Sequence, residues 1–99
     1  MKNPSSGTRQ AAEMLAIQVL AFIAEQPEQL TRFLDMTGIP PEQMRAASRE
    51  SGFLAGVLDH MLGDESLLVA FANSAGIDPA EIGRARGALG RGSPERNTP

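Results

Sequence analysis

A chain of 99 residues with 41% apolar, 4% aromatic and 21% charged residues, and no Cys, Trp or Tyr, has room for one domain. It excludes a disulfide framework, a thiolate metal site and cysteine chemistry. Nine Lys and Arg against twelve Asp and Glu give a net charge of −3 and a pI near 5.0, which disfavours whole-surface binding to DNA or acidic membranes. The opening residues Met1–Gly7 contain no apolar leader core and no membrane-length apolar run follows, so the expectation is a cytoplasmic protein with no membrane contact.

Breakers and caps divide the chain into six segments with helical spacing, and none alternates as a strand does. Ala is abundant at 14 residues while Val, Ile and Thr number three, five and four, a balance that favours helix over sheet. Residues 1–7 and 91–99, rich in Pro, Ser, Gly and Asn, read as disordered tails around a single helical domain at 8–90. The first helix is expected from about Thr8, a candidate N-cap, to Glu25. Its Ala12, Leu15, Ala16, Val19, Leu20, Phe22 and Ile23 fill an arc of roughly 160°, wide enough to pack against several other helices.

Pro27 suits the first turn of a second helix, where its missing N–H costs nothing, and Leu30, Phe33 and Leu34 point inward. Gly38 is placed to end that helix with φ > 0, with Ile39 next in a Schellman-type cap. Pro41 opens a third helix that buries Met44 and Ala47. The fourth spans about 52–62, with Phe53, Leu54, Val57, Leu58, Met61 and Leu62 inside. Asp64 caps the fifth, which buries Leu67, Leu68, Phe71, Ala72 and Ala75 before Gly76. Asp78-Pro79-Ala80-Glu81 opens the sixth, whose inner face is Ile82, Ala85 and Leu89. Gly83, Gly87 and Gly90 lie close to one side of it, marking either close backbone approach or a helix that frays; fraying is the reading adopted.

Laying residue i on residue i+38 aligns Leu20 with Leu58, Leu30 with Leu68, Phe33 with Phe71, Gly38 with Gly76, Ile39 with Ile77, Pro41 with Pro79, Met44 with Ile82 and Ala47 with Ala85. A fixed offset with matching breakers predicts two pseudo-repeated three-helix halves, about 16–47 and 54–85. Neither half is large enough to hold itself, so the two are expected to share one core.

Residues that could carry chemistry are few. His60, the only histidine, has Asp59 beside it and Asp64 four residues on, the beginning of a metal or acid–base site. A catalytic metal wants three protein ligands, and Asp64 is better employed as a helix cap. No nucleophile–base pattern, phosphate-cradling glycine loop or paired-histidine spacing is present. The expectation is therefore no enzyme, no metal and no cofactor.

Two surfaces could meet a partner. Opposite its buried arc, the first helix sets Met14, Ile17, Ala21 and Ala24 among Gln10, Glu13, Gln18 and Glu25. This stripe is more apolar than a solvated face requires, so either another helix of the chain covers it or it forms a groove or dimer contact. The alternative is nucleic acid, because both halves have the layout of a helix-turn-helix unit, the second resembling that motif best, and the resemblance implies residues 79–89 as the recognition helix. Four arginines, Arg84, Arg86, Arg91 and Arg96, stand against two glutamates over residues 80–99, whereas residues 1–79 carry five cations and ten carboxylates. Against contact through 76–96, Pro79, Ala80, Gly83 and Gly87 offer base edges no hydrogen-bonding group, and Asp78 and Glu81 would repel phosphate.

A longer set of phrases carries a resemblance. Gln26-Pro27-Glu28 is followed by Arg32-Phe33-Leu34 and Thr37-Gly38-Ile39, then by Phe53-Leu54 with Val57-Leu58-Asp59. Asp64-Glu65-Ser66-Leu67-Leu68, Ala70-Phe71 and Gly76-Ile77-Asp78-Pro79 complete it. Over about residues 11–89 the chain resembles a family of short, all-helical, uncharacterised bacterial proteins, mainly alpha-proteobacterial, catalogued as a domain of unknown function. The resemblance implies a compact helical domain and transfers no functional residue. Together these readings predict an all-α bundle of five to six short helices acting as a non-catalytic protein-interaction or assembly module, through an unknown protein partner or self-association.

Overall fold

In the computed structural model, which describes residues 4–90, a helix α1 at Pro4–Ala24 forms the spine on which the other elements pack. Its Ala12, Ala16, Val19, Leu20 and Ile23 are buried and Leu15 and Phe22 pack against them, the arc expected from the wheel. The helix starts at Pro4 and not at Thr8, so the part of the expected leading tail at 4–7 is helical. Residues 1–3 and the expected tail at 91–99 lie outside the described residues.

Helix α2, Pro27–Thr37, opens with a proline in its first turn and ends at Gly38, whose φ of 71° is the left-handed conformation expected. The cap is the simpler left-handed form. Gly38 N–H donates to the Leu34 carbonyl, while Ile39 N–H turns to the Thr37 hydroxyl, so the second Schellman bond is absent. A 3-10 turn at Pro41–Gln43 then leads into a single α-turn, α3, at Met44–Ala47. The expected third helix is thus mostly a tight turn, and Met44 and Ala47 are half-buried, not buried.

Helix α4, Ser51–Leu62, buries Leu54, Ala55, Val57, Leu58 and Met61, an apolar spread too wide for one stripe and suited to a helix covered on several sides. It packs against α1, against α5 at Glu65–Ala75, and against α6 at Ala80–Ala88. Leu62, expected inside, is 38% exposed, and Ala75 is exposed as well. Asp64 caps α5 as expected, its Oδ1 accepting from Leu67 N–H at 3.2 Å. At the other end Gly76 has φ 72°, and Ile77 N–H reaches the Ala72 carbonyl at 3.0 Å, the wide bond of the Schellman motif, sharing that carbonyl with Gly76 N–H.

Asp78 Oδ1 accepts from Ala80 N–H at 2.9 Å and starts α6, which buries Ile82, Ala85 and Leu89 against α1 and α4. The fraying expected from the glycines does not occur. Gly83 and Gly87 face open space within a continuous helix, and Gly90 lies beyond its end. They mark no close approach either, since a methyl at 83 or 87 would meet nothing.

The core is one apolar cluster drawn from α1, α2, α4, α5 and α6, with no polar or charged residue buried among the described residues. Each fully buried Leu, Ile, Phe or Met contributes about 1.5–3 kcal/mol relative to exposure. Edge-to-face ring pairs join Phe22 to Phe71 and Phe33 to Phe53, with centroids 5.3 and 5.7 Å apart. The shortest dimension of 19 Å is two helix diameters, so the fold is two layers thick. Among the described residues it consists of six α-helices and one 3-10 turn without a strand, and no helix is long and apolar enough to cross a membrane.

Candidate interaction surface and the histidine groove

The outer face of α1 is where the structure leaves apolar side chains uncovered. Met14 is 64% exposed and Ile17 46%, and Ala21 and Ala24 continue the same line toward the helix C-terminus. No other described segment lies over them. The cause is geometric: α2, α4 and α6 all pack on α1, and the wide inner arc accounts for all three. Polar residues fringe the stripe, with Gln10, Gln18 and Glu25 exposed and Arg9 and Glu13 within 3.8 Å as an i,i+4 pair. Three further large apolar residues, Met36, Leu62 and Val69, are exposed, but each on a different helix.

Of the four arginines considered for nucleic acid, the two among the described residues each form an ion pair. Arg84 pairs with Glu81 at 3.1 Å along α6. Arg86 crosses to α4, where its Nε donates to Asp59 Oδ1 at 2.7 Å, and its guanidinium also reaches the Gly90 carbonyl. That bridge clamps α6 to α4, a partly exposed charge-assisted bond worth about 1 kcal/mol or less. Arg91 and Arg96 lie outside the described residues. The face of α6 turned outward presents Gly83, Arg84 and Gly87, and its opposite face is committed to the core.

His60 sits in the last turn of α4, edge-on to Phe33 at a centroid distance of 5.3 Å. Its Nε2 is shut off from solvent and has no hydrogen-bond partner. Burial lowers its pKa below 6.5; the carboxylate of Asp64 opposes that shift and Arg32 adds to it. The ring is therefore neutral near pH 7. A groove of about 460 Å³ runs past it, lined by Arg32, Met36, Asp59, Asp64 and Glu65 among others. Arg32 Nη1 and Asp64 Oδ2 stand 3.9 Å apart across it, tying α2 to the start of α5.

Two of the groove's carboxylates are engaged: Asp64 holds Leu67 N–H and Arg32, and Asp59 holds Arg86. His60 Nε2 makes no hydrogen bond to any of these carboxylates. No three of His, Cys, Asp or Glu gather as a metal site among the described residues. Sequence spacing placed His60 near Asp64; it carried no signal for Arg32 or Phe33, because those contacts form only when α2 docks beside α4.

Fold and surface define a small all-helical domain with one uncovered apolar helix face. Over residues 9–92 the chain matches the family described as Protein of unknown function (DUF3572), and it belongs to that family. No curated protein and no solved structure matches it.

Proposed function

We propose that the protein is a non-catalytic interaction module whose docking face is the outer stripe of α1. The observation that carries this reading is the exposure of Met14 and Ile17 in line with Ala21 and Ala24 on the longest helix of the fold. Exposed apolar residues that run contiguously, edged by polar side chains, are typical of contact surfaces, whereas isolated ones are ordinary.

A photo-crosslinking residue placed at position 14 or 17 in the native cell tests the assignment. Adducts are expected from both positions and not from Glu42, an exposed site on the far turn. Equal labelling at all three positions, or none, removes the proposal. The double variant Met14→Glu with Ile17→Glu is expected to keep its helical circular dichroism and melting temperature while losing the adducts. Unfolding of that variant would mean that the stripe belongs to the core.

A further inference from the structure

The outer face of α1 has a pattern that narrows what can cover it. Gln10, Met14, Ile17, Ala21 and Ala24 are spaced alternately four and three residues apart, the spacing that keeps a seam straight along a partner helix. The seam is graded in size. Its two large side chains, Met14 and Ile17, lie toward the N-terminus and its two methyl-sized ones, Ala21 and Ala24, toward the C-terminus. It also carries no charge, on a chain whose net charge is −3.

We infer, resting on the proposed docking role of this face, that its occupant is a second copy of the chain, with the two α1 helices crossing antiparallel about a two-fold axis near Val19. In that arrangement Met14 of each copy fills the space over Ala24 of the other, and Ile17 lies over Ala21. A parallel pairing would set Met14 on Met14 and leave a gap where alanine meets alanine. Alanines on the seam let the backbones approach to the short end of ordinary helix spacing.

The flanks agree with this geometry. Gln18, exposed beside the seam, comes next to its own copy close to the axis, where an amide both donates and accepts and is therefore self-complementary. Glu25 falls opposite Ala11 of the other copy, so no like charges are forced together. Two acidic molecules repel over most of their surface, and this uncharged strip is where copies can meet without that cost. A helix of 21 residues is about 32 Å long, and one such pair buries less than the about 1,600 Å² of a standard interface. The dimer should accordingly be weak, with a dissociation constant on the order of tens of micromolar.

Sedimentation equilibrium of the full chain from about 5 to about 500 μM, spanning that constant, is the first test. A monomer–dimer equilibrium is expected, shifted at least about tenfold toward monomer by Met14→Glu with Ile17→Glu. Because the chain has no cysteine, orientation can be read by mixing a Met14→Cys variant with an Ala24→Cys variant under mild oxidant. Disulfide-linked pairs joining position 14 to position 24 should dominate. Predominance of 14-to-14 links, or a chain that stays monomeric throughout, overturns the inference. If crosslinks from positions 14 and 17 in the cell then lead to a different protein, the docking role of the face stands without self-pairing. If there are none, both readings fail together.

Discussion

Phe33 and Phe71 occupy equivalent places ahead of two joints, α2 to α3 and α5 to α6. Both rings are buried, and each is followed five residues later by a glycine with φ near 70° and then by isoleucine. Beyond that point the joints diverge. After Gly38 the chain makes a 3-10 turn and one α-turn, and Met44 is only half-buried. After Gly76 it makes a nine-residue helix whose Ile82 is completely buried between α1 and α4. Local chemistry dictates the stop; what grows after it depends on whether a groove is waiting. Ring contacts cross between the two regions: Phe22 of α1 meets Phe71, and His60 of α4 meets Phe33. One contact is wholly hydrocarbon and the other contains an orphaned nitrogen.

The contrast is most exposed to test at Met44 and Ile82. Ile82→Ala should cost about 3 kcal/mol in urea unfolding and Met44→Ala about 1 kcal/mol, because only the first leaves a closed cavity. Equal losses would mean that α3 contributes to the core as fully as α6. The two stops should instead behave alike. Gly38→Ala and Gly76→Ala each place a side chain in left-handed backbone with open space around it, so each should cost about 1–2 kcal/mol from backbone strain alone.

The starts of the preceding helices differ, since α2 has no side-chain cap at Gln26 and α5 has Asp64. Asp64→Ala should lower stability by about 1 kcal/mol, and Gln26→Asp should raise it by a smaller amount, measured as shifts in melting temperature.

The smallest effect is one of pH. With its folded pKa lowered, His60 takes up a proton more readily in the unfolded chain, so acid favours unfolding. The stabilisation of the neutral ring is complete above about pH 6.5 and declines as pH falls below it. His60→Phe makes the two ring contacts alike, and its melting temperature relative to the wild type should rise as the pH is taken from about 7.5 to about 5.5. A constant difference across that range would show that the ring does not titrate with folding.

The helices were legible because punctuation is local. Pro27, Asp64, Gly38 and Gly76 act on the few residues around them, and the wheel of α1 needed only its own side chains. The third helix was not legible, because Pro41 can open either a 3-10 turn or a helix, and which one persists depends on the neighbours of Met44. The fate of the α1 stripe was equally out of reach: its apolar character is written in Met14 and Ile17, but its coverage depends on where α2, α4 and α6 settle. The His60 groove joins α2, α4 and α5, and spacing along one helix revealed only the Asp64 side of it.

Among the described residues the buried side chains are all hydrocarbon or thioether, and such side chains have no means of rejecting a neighbour of similar bulk. Aliphatic residues there can exchange with one another, volume for volume, with small penalties and with no hydrogen bond left broken. At the joints, two glycines and an aspartate stand where even a small exchange carries a backbone or capping cost of its own. In this fold the hinges, more than the filling, hold the identity of the shape.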